Sequence, residues 1–89
     1  MPFVTVKYLM TFSQITGKKS EKVEIEEGDT IENLLKLLYI RYGRKFKKLV
    51  EQDFENRSVI FAVNGESKDL SSCLYDGDEV LISYPVGGG

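Results

Sequence analysis

Histidine is absent from the 89 residues, and cysteine occurs once, at Cys73. The first absence removes Ser-His and Cys-His nucleophile pairs, together with the commonest side-chain ligand of transition metals. A single cysteine leaves no partner for an internal disulfide and makes a reducing cytoplasm the natural compartment. Cys73 lies in Leu70-Ser71-Ser72-Cys73-Leu74 with no basic neighbour to lower its pKa, so it is expected as a small buried hydrophobe rather than a reactive thiol. Gly28, Gly43, Gly65 and Gly77 stand singly at turns, so neither common phosphate-cradling loop is present. The richest apolar stretch, Ile31 to Ile40, is interrupted by Glu32, Asn33 and Lys36, and no segment is long enough to span a membrane. Met1-Pro2-Phe3-Val4 lacks a basic region leading into an apolar one, so no secretory signal is expected. Twelve basic and fourteen acidic residues nearly cancel, which gives no global bias toward nucleic acid. A chain of this length makes one small domain without a cleft between domains. These exclusions argue against an enzyme acting alone, and no bound cofactor or metal is expected.

What the chain does have is strand and helix periodicity. Val4, Val6 and Tyr8 alternate with Thr5 and Lys7, predicting a strand that continues less clearly from Leu9 to Ile15. Thr16 to Ser20 is a polar turn, and Lys22 to Glu26 alternates again with Val23 and Ile25 facing inward, so an N-terminal hairpin is expected. Glu27-Gly28-Asp29 turns the chain into a helix capped by Asp29 or Thr30. Ile31, Leu34, Leu35 and Leu38 form its apolar stripe, Leu37 and Ile40 are expected to broaden it, and Gly43 ends it. Arg44 to Val50 repeats the helical spacing through Phe46, Leu49 and Val50. Its basic residues, with Arg41, read either as a docking patch for an acidic partner or phosphate, or as the solvated face of a short helix. Gln52 to Ser58 reads as a loop pinned by Phe54.

Val59 to Val63 is a dense β-favouring run, expected as a strand central in the sheet. Asn64-Gly65 tolerates the positive φ of a type I′ turn, so Glu66 to Lys68 should return as a short strand. Leu70 to Leu74 packs as a connector, and Asp76-Gly77-Asp78 leads into a last strand, Glu79 to Tyr84, with Val80, Ile82 and Tyr84 on one face. This order predicts an α+β domain over residues 1–84, a mixed sheet with one main helix packed across it and the first and last long strands parallel neighbours.

The chain then ends on Pro85-Val86-Gly87-Gly88-Gly89. Proline lacks the N–H that continues a ladder, so residues 85–89 are expected to leave the domain as a flexible, extended tail. Glycine has no Cβ, so a Gly-Gly carboxylate can lie in a channel too narrow for any side chain. Five residues at about 3.3 Å each reach roughly 16 Å, enough to enter a buried site on another protein. A solvated, frayed terminus is the ordinary alternative. Phe3, Leu81 and Phe61 are candidates for a body contact near the tail, each also readable as core.

Three stretches resemble a known family. Asp29-Thr30-Ile31-Glu32-Asn33 looks like the helix start of ubiquitin, and Ala62-Val63-Asn64-Gly65-Glu66 resembles the third strand and hairpin of molybdopterin synthase small subunits (MoaD-like). Leu74-Tyr75-Asp76-Gly77-Asp78-Glu79-Val80, followed by Tyr84 to Gly89, is similar to that family's closing turn, strand and tail, although three glycines stand where the family commonly has two. The resemblance covers nearly the whole chain and implies a β-grasp, ubiquitin-like sulfur carrier. It implies that the Gly89 carboxylate is adenylated by a ubiquitin-activator-like enzyme using ATP and then converted to a thiocarboxylate by a sulfur donor. Gly88, Gly87, Val86 and Pro85 would be the stem held in the partner's channel, and a MoaE-like large subunit would receive the sulfur for molybdopterin, the organic part of the molybdenum and tungsten cofactors. No nucleic acid or membrane partner is implied. The same activation chemistry also fits a carrier for tRNA or thiamine sulfur or a modifier joined to lysines, and an inert ubiquitin-like interaction domain is a third reading.

Overall fold

Alternation and helical spacing produce the elements in this order: β1 (Phe3–Tyr8), α1 (Thr11–Thr16), β2 (Ser20–Glu24), α2 (Ile31–Tyr42), α3 (Arg44–Glu51), β3 (Ile60–Val63), β4 (Glu66–Lys68) and β5 (Glu79–Ser83). The structure, a computed structural model, describes residues 1–51 and 59–83. Its strands form one mixed sheet in the order β2-β1-β5-β3-β4, with β1 and β5 parallel and the other neighbours antiparallel. The first and last strands are therefore neighbours, as their patterns predicted.

One face of the sheet carries Val4, Val6, Val80, Ile82 and Phe61, and α2 buries Ile31, Leu34, Leu35 and Leu38 in the same core. Thr30 caps α2: its hydroxyl accepts from Asn33 N–H at 3.3 Å while the Asn33 side-chain oxygen accepts from Thr30 N–H at 2.9 Å. Gly43, with φ of +83°, ends the helix in a conformation open to glycine. Beyond it α3 inserts Phe46, fully buried, among four rings. It meets Tyr8 and Phe12 edge-on at centroid distances of 6.1 and 5.6 Å, stacks on Tyr42 at 5.7 Å and tilts against Tyr39 at 6.2 Å. Lys45, Lys47 and Lys48 remain exposed, with Lys47 Nζ 5.8 Å from the Tyr39 ring. Asn64 and Gly65 both have positive φ, +52° and +87°, giving the predicted tight turn between β3 and β4.

Several expectations fail. The stretch after Tyr8 does not extend the strand to Ile15: Met10, at φ +52°, turns the chain into the short helix α1, which buries Phe12. β1 and β2 pair as foreseen, with Val23 and Ile25 buried, yet they are joined through that helix rather than by a plain hairpin. Leu37 and Ile40 do not broaden the buried stripe, being 41% and 84% exposed, because they lie on the flank of α2 that lines an open groove beside Glu24 and Ile25. The dense run 59–63 supplies β3, which lies beside the centre, while β5 occupies it; Ile60, alternating with the buried Phe61, lies on the face away from the helices and keeps 40% of its surface. Cys73 is exposed rather than buried. It forms a lone bridge with Thr30, and Leu74 N–H donates to Asp29 O at 2.8 Å, so alternation turns Leu74 inward and Cys73 out. The loop expected at 52–58, with Phe54, and the expected last strand residue Tyr84 lie outside the described residues.

Removal of the Phe46 ring should cost about 3–5 kcal/mol of unfolding free energy, since it empties a fully enclosed site, whereas Ile40→Ala should change stability by under about 0.5 kcal/mol. Urea unfolding of both variants measures the difference.

Candidate functional site

β5 is short, and nearly every residue of it is held. Glu79 to Ile82 pair with Thr5 to Tyr8 of β1, and Val80 to Ser83 pair with Val63 to Ile60 of β3. The turn entering β5 is stapled to β1: Gly77 N–H donates to Phe3 O at 2.8 Å, Phe3 N–H to the Asp76 carboxylate at 2.8 Å, and Thr5 N–H to Asp78 O at 2.9 Å. Asp78 also accepts from the Asn64 amide at 2.9 Å, while the Asn64 side-chain oxygen accepts from Glu79 N–H at 3.0 Å. The β3–β4 turn is thereby joined to the start of the same strand. Ser83, the last described residue, pairs with Ile60 of β3 at the opposite end of β5.

Around that end the sequence has placed apolar side chains. Leu9 leaves β1 there, its N–H donating to Ile82 O at 3.4 Å, and it is 43% exposed. Met10 follows, exposed, and Ile60 faces Ser83 from β3. Leu81, half-buried, points away from the helices because Val80 and Ile82 point toward them; its register partners are Lys7 and Ala62. Together these residues form an apolar collar, open to a partner, around the place where β5 ends. Such a surface supplies contact area rather than acid–base chemistry.

Of the three body-contact candidates, Leu81 is in place. Phe3 is exposed but lies at the entry end of β5, because β1 and β5 run in parallel and Phe3 precedes the first paired residue, Thr5. Phe61 is a core residue. Leu9, Met10 and Ile60 were missed. Continuing the alternation Thr5-Lys7-Leu9 would have put Leu9 on the open face, but Ile60 became legible only once β3 was seen to run antiparallel to β5. Pro85, Val86, Gly87, Gly88 and Gly89, the predicted site residues, lie outside the described residues.

The same end of the sheet is fixed from the helix side by one carboxylate. Glu21 of β2, with a side chain only 9% exposed, accepts from Tyr8 Oη at 2.6 Å, from Tyr42 Oη, from Arg41 Nη1 at 2.9 Å and from Lys18 Nζ at 3.2 Å. It joins β1, β2, the turn before β2 and the last turn of α2. Burial pushes its pKa up, but hydrogen bonds from Tyr42, Tyr8 and Lys18 outweigh that and hold it below the usual carboxylate range. Burial, then the Glu21 carboxylate, pushes the Tyr8 phenol far upward, so it remains a donor.

Comparison with known proteins adds a family pattern. Residues 6–89 match the model of the ThiS family. The small archaeal modifier protein 3 of Haloferax volcanii is 26% identical over 88 residues, covering 94% of this chain and 96% of the relative. A solved structure from Pyrococcus furiosus, bearing the name molybdopterin converting factor, subunit 1, is 35% identical. It superposes with a TM-score of 0.83 over 97% of this chain and 100% of that one. The small archaeal modifier protein 1 of Methanosarcina acetivorans, 24% identical, shares the fold with a TM-score of 0.77 over 100% and 98% of the two chains.

Because the folded pKa of Glu21 lies below its unfolded value, its contribution is complete above about pH 4.3 and is lost as pH falls through the folded pKa. Glu21→Gln should therefore be less stable than the parent at neutral pH, with the gap narrowing in acid. Thermal unfolding from pH 7 down to about pH 2 measures that convergence.

Proposed function

The chain belongs to the ThiS family, and on that premise we propose that it is a sulfur carrier whose C-terminal glycine, Gly89, is the reacting group, with Gly88, Gly87, Val86 and Pro85 as the stem that a partner's channel holds. The observation that carries this reading is the placement of β5. The strand preceding the tail lies between two others and ends in an apolar collar, so a partner can grip the collar while the tail reaches past it. The β-grasp fold shared with the Pyrococcus furiosus protein over its full length supports the same reading.

A terminal carboxylate has a pKa of about 3.5 and is an anion at neutral pH, a poor electrophile until one oxygen becomes a leaving group. In the proposed sequence, a ubiquitin-activator-like enzyme catalyses attack of the Gly89 carboxylate on the α-phosphate of ATP, releasing pyrophosphate and forming an acyl-adenylate. A sulfide-level nucleophile from a sulfur donor then displaces AMP, leaving a thiocarboxylate. ATP is consumed by the partner, and this chain supplies no catalytic group of its own. Ordering the stem costs about 1–2 kcal/mol per residue, which contacts to the collar and main-chain hydrogen bonds in the channel must offset. Its end use is proposed as molybdopterin synthesis with a MoaE-like large subunit in the cytoplasm. The Pyrococcus furiosus protein, by name a subunit of a molybdopterin converting factor, supports that end use.

The Haloferax volcanii relative, a modifier by name, favours a second reading in which the same activated glycine is joined to lysine amines. Recovery of isopeptide conjugates that vanish when Gly89 is deleted would select it; co-purification of a large synthase subunit would select the first.

With a cognate adenylating enzyme, this chain should support ATP–pyrophosphate exchange, and addition of one phenylalanine after Gly89 should abolish the exchange while leaving the unfolding curve unchanged. Ile60→Arg, at the collar, should weaken binding of the adenylating enzyme by about tenfold, roughly the loss of one buried apolar contact. Undiminished exchange in the extended chain would overturn the assignment of Gly89.

A further inference from the structure

β2 and β4 are the two edges of the sheet among the described residues, and they differ in kind. β4 is three residues long and wholly polar and exposed, which discourages pairing with another chain. β2 is five residues long, contains no proline, and lies beside an apolar shelf. Met1, Leu37 and Ile40 line a groove of about 680 Å³ between β2 and α2, and Ile40 is 84% exposed. An apolar shelf next to an open strand edge is the arrangement that strand addition uses.

The register with β1 says which backbone groups are free. Tyr8 N–H donates to Lys19 O at 2.9 Å and Ile25 N–H to Pro2 O at 3.0 Å, so residues 19, 21, 23 and 25 bond toward β1. By the antiparallel alternation, the N–H and C=O groups of Ser20, Lys22 and Glu24 are directed to the outer side. Beyond Glu24 the edge closes, because Glu26 N–H donates to the Asp29 carboxylate at 2.9 Å and Glu26 O accepts from Asp29 N–H at 3.0 Å.

Charge along this edge is polarised: Lys18 and Lys19 precede β2, and Glu24, Glu26 and Glu27 end and follow it. A segment basic at one end and acidic at the other is complementary to itself when turned antiparallel. We propose that the β2 edge and the Leu37–Ile40 flank of α2 form a two-fold interface with a second copy of this chain, in the register that sets Lys22 opposite Glu24. In that register Val23 lies on the axis, and Lys22 and Glu24 of each copy exchange ladder hydrogen bonds. The neighbouring symmetric register, centred on Lys22, sets lysine against lysine and is disfavoured. A two-fold perpendicular to the sheet keeps the helices of both copies on one face. The Leu37 and Ile40 stripes then face each other across the axis and bury the apolar surface that α2 leaves uncovered. Such an interface is isologous and closed, so it stops at a dimer.

Sedimentation velocity of the full chain from micromolar to millimolar concentration tests this. The expected result is a concentration-dependent dimer that weakens with salt. Ile40→Lys, at a position too exposed to disturb folding, should raise the dissociation constant at least tenfold. Lys22→Glu should weaken the dimer about tenfold, through two lost opposite-charge pairs, and the double change Lys22→Glu with Glu24→Lys should restore it. A monomer throughout the range overturns the proposal, as does a dimer indifferent to Ile40→Lys or one that the double change fails to rescue. None of these outcomes bears on activation of Gly89, which ATP–pyrophosphate exchange reads separately.

Discussion

The parallel ladder between β1 and β5 is the constraint on which the rest depends. It brings the first and last strands of the chain together at the middle of the sheet, so the core cannot close until both ends of the described sequence are in place. Parallel pairing of such distant segments carries a large closure entropy, and the structure offsets it with local devices. Asp76, Gly77 and Asp78 bond to Phe3 and Thr5 at one end, and Glu21 gathers Tyr8, Tyr42, Arg41 and Lys18 at the other. The helices then cover one face, while on the other Lys7 is exposed and Leu81 and Ala62 are half-buried.

The same constraint bears on the proposed division between body and tail. On the proposed reading, a strand held by a ladder on each side resists unravelling when a partner draws on the residues that follow it, so binding energy at the collar goes into positioning the end of the chain. An edge strand in that role would lack one of the two ladders. On the proposed reading, a strand held by two ladders and a glycine end are complementary requirements: the one anchors the body, the other passes a narrow channel.

Much of this was legible in residue pattern. Period-two runs in Val4 to Tyr8 and Val80 to Ile82, helical spacing from Ile31 to Leu38, and Asn64-Gly65 each have a local physical cause, and each element formed as its pattern indicated. α1 was not legible. It is six residues long, three of them β-branched, and it starts at Met10, a residue with neither a capping side chain nor a glycine's tolerance of positive φ. Cys73 misled because its neighbours are apolar, whereas its direction is set by a single bridge to Thr30 that no local pattern reveals. Leu37 and Ile40 misled for a related reason: helical spacing says which residues share a stripe, but what packs against the helix decides how much of the stripe is covered. The collar, assembled from Leu9, Met10, Ile60 and Leu81, required strand order and direction, which are global properties. The glycine terminus was conspicuous in the sequence from the start, and what the fold adds is the central strand that carries it.

The central claim, that Gly89 accepts sulfur, is tested most directly by the intact mass of the protein after incubation with ATP, a cognate adenylating enzyme and a sulfide donor. The account predicts a single replacement of oxygen by sulfur, localised to the C-terminal peptide and dependent on ATP. An unchanged mass, under conditions in which a known carrier is converted, would contradict it.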